Sequence, residues 1–116
     1  MSIPYRRLLD QITKIRGVRG AMFVAGEDGI VVAEAVVEGI KANAVAALAG
    51  SLARRVRRAA DSAGVGMPEF VQLQAEAGTV CAVPAPAGML VVAIAETEVN
   101  VGFLRLAMRK AAELTS

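Results

Sequence analysis

Histidine and tryptophan are absent from the 116 residues, cysteine occurs once, at Cys81, and aromatic residues make up only 3%. Without histidine the chain can build no Ser-His-Asp triad, no Cys-His dyad and no Cys/His zinc cluster, and one thiol allows no internal disulfide. A lone cysteine fits a reducing, cytoplasmic setting. An excess of one charge is lacking too: 13 Lys and Arg against 11 Asp and Glu leave +2. That is a weak basis for a nucleic-acid partner, even with a sequence pI of 9.1. There is also no membrane span. The longest uncharged stretch, Ala77 to Ala95, approaches the length of a membrane helix, but Pro84, Pro86 and Gly88 interrupt its middle, so it reads as a hairpin. Met1 to Arg7 has no apolar run behind its charges, so no secretory signal is expected there.

What the chain has in quantity is apolar surface. Hydrophobic residues reach 55% and the mean hydropathy is +0.51. At this length the expectation is a single domain over residues 1–116, whose interior is too small to hide that much. Some of it should end in an interface, and self-association follows.

Ser2 is placed to cap a first helix, with Pro4 in the opening turn and Tyr5, Leu8, Ile12 and Ile15 on one stripe. Gly17 is its stop. Ala21 to Ala25 is a short apolar run without alternation, which suggests a central strand covered on both faces. Gly26 to Gly29 supplies a turn containing Asp-Gly, and Ile30 to Ala35 resumes as the second arm of a hairpin. From about Lys41 to Ala63 the composition switches to alanine-rich helix. Val45, Leu48, Leu52, Val56 and Ala59 form one stripe on it; Ala42, Ala46, Ala49, Gly50 and Ala53 form a second, small-residue face. Phe70 to Glu76 alternates in the manner of a half-exposed, edge strand. Thr79 to Val83 and Met89 to Ala95 follow as two strands around the Pro84–Gly88 connector, the second apolar enough to be central. A last helix spans about Val99 to Leu114, with Val101, Leu104, Met108 and Ala111 on its stripe. The order α-β-β-α-β-β-β-α, with short links between strands, implies an α+β fold: a five-stranded, mostly antiparallel sheet with helices on both faces.

Several landmarks carry a family likeness: Gly17-Val18-Arg19-Gly20-Ala21 leading into the first strand, Asp28-Gly29-Ile30-Val31 at the first hairpin, the alanine-rich middle helix, and the closing Asn100-Val101-Gly102-Phe103-Leu104-Arg105. Together with the element order they resemble the roadblock (dynein light-chain) family, including its bacterial MglB-like members, over nearly the whole chain. The resemblance implies a homodimer in which the third strand of each subunit pairs across a two-fold axis, the two middle helices lying side by side on a ten-stranded sheet. It also implies a platform for a small Ras-like GTPase, whose hydrolysis MglB-like members stimulate, rather than an enzyme acting on a small substrate. No cofactor or metal is implied. On this reading the dimer interface draws on Ala46, Ala49, Gly50 and Ala53 of the middle helix and on Val71, Gln72, Leu73 and Gln74 of the third strand.

Arg54, Arg55, Arg57 and Arg58 are the one local concentration of charge. They read as a partner-binding patch for an acidic surface, or as a solvated helix end favoured by the helix dipole. An arginine finger is conceivable chemistry there, but the resemblance places none at these positions. Gly64-Val65-Gly66 has no third glycine and no following Lys-Ser/Thr, so it is a helix stop and not a phosphate loop. The carboxylate pairs Glu27/Asp28 and Glu96/Glu98 sit beside turns or helix starts, where acidic residues have local reasons to be. Cys81 lies in an apolar strand and reads as a buried structural thiol.

Overall fold

The computed structural model describes residues 4–26 and 28–115. Along the chain run α1 (Tyr5–Thr13), β1 (Val18–Ala25), β2 (Ile30–Val36), α2 (Ala42–Ser62), β3 (Val71–Ala75) and β4 (Gly78–Ala85). A 3₁₀ turn (Pro86–Gly88), β5 (Met89–Ala95) and α3 (Val101–Glu113) complete it. The five strands form one sheet in the order β2-β1-β5-β4-β3, and every pairing is antiparallel. This is the α+β sheet expected from the sequence, with β1 and β5 interior and β3 at an edge.

Because side chains alternate along a strand, each strand serves two layers. Ala21, Phe23, Cys81, Val83, Val91 and Ala93 point to one face, where they pack with Leu8, Leu9 and Ile12 of α1 and Leu104, Met108, Ala111 and Ala112 of α3. Met22, Val24 and Val92 point to the other, against Ala42 and Ala46 of α2. The Tyr5 ring lies tilted on Phe23, centroids 4.8 Å apart, and ties the start of α1 to this first layer.

The helix ends are held by different means. The α1 N-terminus at Pro4 has no side-chain cap, and the cap expected at Ser2 lies outside the described residues. At α3, Asn100 accepts a hydrogen bond from the Phe103 N–H through its Oδ1 at 3.0 Å, fixing the first turn. β1 begins three residues earlier than the apolar run suggests. Gly20, just ahead of that run, is inside the strand: a Cβ there would stand 2.7 Å from Val36 Cγ1.

Candidate functional site

Helix α2 packs chiefly against β2, less against β1 and least against β5. The same face of β4 and β3 therefore has no helix of its own above it. Between α2 and these strands runs an apolar groove of about 360 Å³, walled by Val45, Ala49, Leu52 and Val56 and floored by Val71, Leu73, Val80, Ala82 and Leu90. Met67 and Pro68, from the link between α2 and β3, also line it. Register explains the floor. Val71 pairs with Ala82 and Leu73 with Val80, and directly opposed residues of an antiparallel pair share a face. Leu73 is left 54% exposed.

The seating of α2 explains the wall. Gly29, at φ +65° in the β1–β2 turn, comes so close to the helix that a Cβ would lie 2.6 Å from the Ala46 carbonyl oxygen and 2.6 Å from Ala47 Cα. Only a small-residue stripe permits that approach, and Ala42, Ala46 and Gly50 are accordingly the buried residues of α2. Of the larger side chains on the neighbouring arc, Val45, Leu52 and Val56 wall the groove, and Leu48, which also lines it, is 71% exposed. Of the interface residues read from sequence, Ala46 and Gly50 are buried in the protomer's own packing. Ala49 and Ala53 do line the groove. Leu48 and Leu52, from the other stripe read in the sequence, are the exposed large apolar residues of the helix.

The four β3 residues divide in the same way. Val71 and Leu73 face the groove, whereas Gln72 and Gln74 are exposed on the opposite side of the strand, Gln72 Nε2 donating to Gln74 Oε1 at 3.5 Å. On its inner side β3 is anchored by its ladder to β4 and by Thr79 Oγ1, which donates to the Leu73 carbonyl at 3.1 Å. The outer edge of β3 has no neighbouring strand among the described residues.

Arg54, Arg55, Arg57 and Arg58 all lie on the C-terminal half of α2, exposed to solvent. Arg54 and Arg58 stand one turn apart on one side of the helix. Arg57 lines the groove, and Arg55 lies on the side of Leu48 and Leu52. The structure thus divides the cluster among three directions. Asp28, Glu96 and Glu98 are exposed in turns; Glu27 lies outside the described residues. Cys81 is fully buried; burial pushes its thiol pKa above the ordinary value, with a Thr79 hydrogen bond opposing in part. A thiol held protonated in this way is a poor nucleophile.

The described residues contain no helix long and apolar enough to cross a membrane.

Comparison with known proteins agrees with this architecture. The chain is 35% identical over 107 residues to an uncharacterised protein of Methanocaldococcus jannaschii, covering 92% of each. Its fold matches the crystal structure of a roadblock/LC7 domain from Streptomyces avermitilis with a TM-score of 0.83 at 19% identity, over 91% of this chain and 89% of that one. It matches the gliding protein MglB of Thermus thermophilus with a TM-score of 0.84 at 18% identity, over 96% and 84%. The model of the Roadblock/LC7 domain matches residues 5–95, and the chain belongs to that family.

Proposed function

We propose that the protein is a non-catalytic homodimer that binds a small Ras-like GTPase and modulates its nucleotide state or its location. Roadblock domain proteins are GTPase-associated regulators, which supplies the class of partner. The observation that carries the dimer is the groove beside α2 together with the unpaired β3 edge. A second copy placed by a two-fold axis along β3 would satisfy the open edge and lay its own α2 beside the first. Both needs are met by one operation, and Leu48, Leu52, Met67 and Leu73 would pass from water into the interface.

In such a dimer the paired α2 helices form a surface with Arg54, Arg55 and Arg58 around it, suited to an acidic docking face. A regulator of this kind shifts its partner's nucleotide state only as far as it binds the two forms with different affinity.

Light scattering coupled to size exclusion tests the reading in two steps. Alone, the protein should run as a dimer of about 24 kDa, twice 12.0 kDa. With small GTPases loaded with GDP or a GTP analogue, the complex should form with one nucleotide form in preference. Leu52→Glu and Leu73→Pro should each abolish the dimer, the second because proline removes a ladder donor. A clean wild-type monomer, or an unchanged stable dimer in both variants, would overturn the interface. A dimer indifferent to every GTPase would make the protein a structural scaffold instead.

A further inference from the structure

Helix α3 carries two apolar side chains that neither the core nor the groove uses. Its buried residues, Leu104, Met108, Ala111 and Ala112, define the inward side. Phe103 and Leu106 project from the outward side, 59% and 66% exposed. At three residues' spacing they are neighbours on the helix surface, and the Asn100 cap fixes the turn that presents Phe103. Lys110 continues the same line one turn on, with Arg109 beside it, both exposed.

Helix α1 lies alongside α3 on this face of the sheet. Its outward side adds Arg6 and Arg7, and its C-cap adds Lys14, all exposed. Only Asp10 and Glu113 carry negative charge on the two helices. With Arg105, which stacks on Phe70, six cations against two acids leave this layer at +4, although the whole chain carries +2. The basic character is concentrated here and on α2, and the strands and loops are acidic.

We infer that the outer face of α1 and α3 is a contact surface for an anionic lipid bilayer. Two features favour a bilayer over an acidic protein. The apolar residues protrude from a helix surface, whereas a protein partner is usually anchored by side chains entering pockets, and the apolar groove of this molecule lies on the opposite face of the sheet. Protruding Phe and Leu beside Lys and Arg is the arrangement that places apolar side chains at the acyl boundary and cations at the headgroups. The face is separate from the α2 groove and the β3 edge, so the inference stands whether or not the proposed dimer forms. With the dimer it gains a second consequence, since α1 and α3 of both copies would share one side of the joined sheet and bind with greater avidity.

The test is co-sedimentation with vesicles of phosphatidylcholine alone and of phosphatidylcholine with phosphatidylglycerol, using the full chain and no GTPase. Binding is expected to the anionic vesicles only, weakening as salt is raised. The double variant Phe103→Ser with Leu106→Ser should lower the partition coefficient roughly tenfold or more. Lys110→Glu and Arg58→Glu change the net charge equally but lie on opposite faces; only the first should reduce binding, by roughly tenfold. Phe103→Trp gives this tryptophan-free chain a single indole, whose emission should shift to the blue on anionic vesicles. Absence of binding to either vesicle, equal losses from Lys110→Glu and Arg58→Glu, or an unshifted indole in sedimented protein would each overturn the proposal.

Discussion

The two faces of the sheet are built from alternate residues of the same strands, yet one is sealed and the other is half open. Under α1 and α3 the side chains of Leu9, Ile12, Phe23, Leu104 and Met108 are fully buried. Two helices pack there against β1, β2, β4 and β5, and toward the β3 end Arg105 stacks over Phe70, 5.2 Å from the ring centroid. On the other face one helix lies over the β2 side of the sheet, and the β3 side keeps apolar residues in contact with solvent. Apolar content alone does not distinguish a core from a surface held in reserve. The number and seating of the covering helices decides, and α2 is drawn toward β2 by the close approach at Gly29.

This contrast can be broken by truncating one residue from each face. Leu9→Ala should cost about 3 kcal/mol, since it leaves a cavity in a closed layer. Leu52→Ala should cost well under that in the isolated protomer, and its effect should grow with protein concentration if a second copy covers it. Urea unfolding at two concentrations separates the cases; equal, concentration-independent losses would mean that the faces do not differ as described.

Next in size is the contact that seats α2. Gly29→Ala meets helix backbone at 2.6 Å and must also hold a positive φ, so a loss of about 2 kcal/mol is expected. Thermal unfolding checks this, and Gly39→Ala is the control, because its φ is positive but a Cβ there meets nothing within 4 Å.

A smaller effect comes from the sealed face through Cys81. Its folded pKa is raised, so the folded state keeps the proton while the unfolded thiol ionises near the ordinary 9.0. Stability contributed by the neutral thiol is complete below that pH and is lost as pH rises above it. Unfolding free energy measured across this alkaline range should fall less steeply in Cys81→Ala than in the wild type. Smallest of all, Ala87 adopts φ +63° in the β4–β5 turn; Ala87→Gly should raise stability by under about 1 kcal/mol.

Much of this architecture is legible in the residues. The Asp28-Gly29 hairpin, the alternation of Val71 to Ala75 and the interruption at Pro84 to Gly88 are local signals, and each leads to the element observed. The faces of α2 are legible only in part. Periodicity reveals two apolar arcs on the helix but carries no information on which one meets its own sheet. The close approach of the β1–β2 turn selects Ala46 and Gly50 and leaves Leu48 and Leu52 exposed. That contact joins residues distant in sequence, and no local pattern encodes it. Phe103 and Leu106 escape notice for a simpler reason. The stripe of Val101, Leu104, Met108 and Ala111 accounts for the helix, and apolar residues off a stripe signal exposure only once the packing is known.

The strand order has a consequence for how the molecule comes into being. β5, the last strand in the sequence, occupies the centre of the sheet, between β1 and β4. Until residues 89–95 arrive, the chain holds two separate hairpins, β1–β2 and β3–β4, with nothing to join them, and an isolated hairpin is marginal in water. Productive folding therefore waits for nearly the whole chain, and a nascent or truncated product ending before Met89 presents two unsatisfied inner edges to whatever lies nearby.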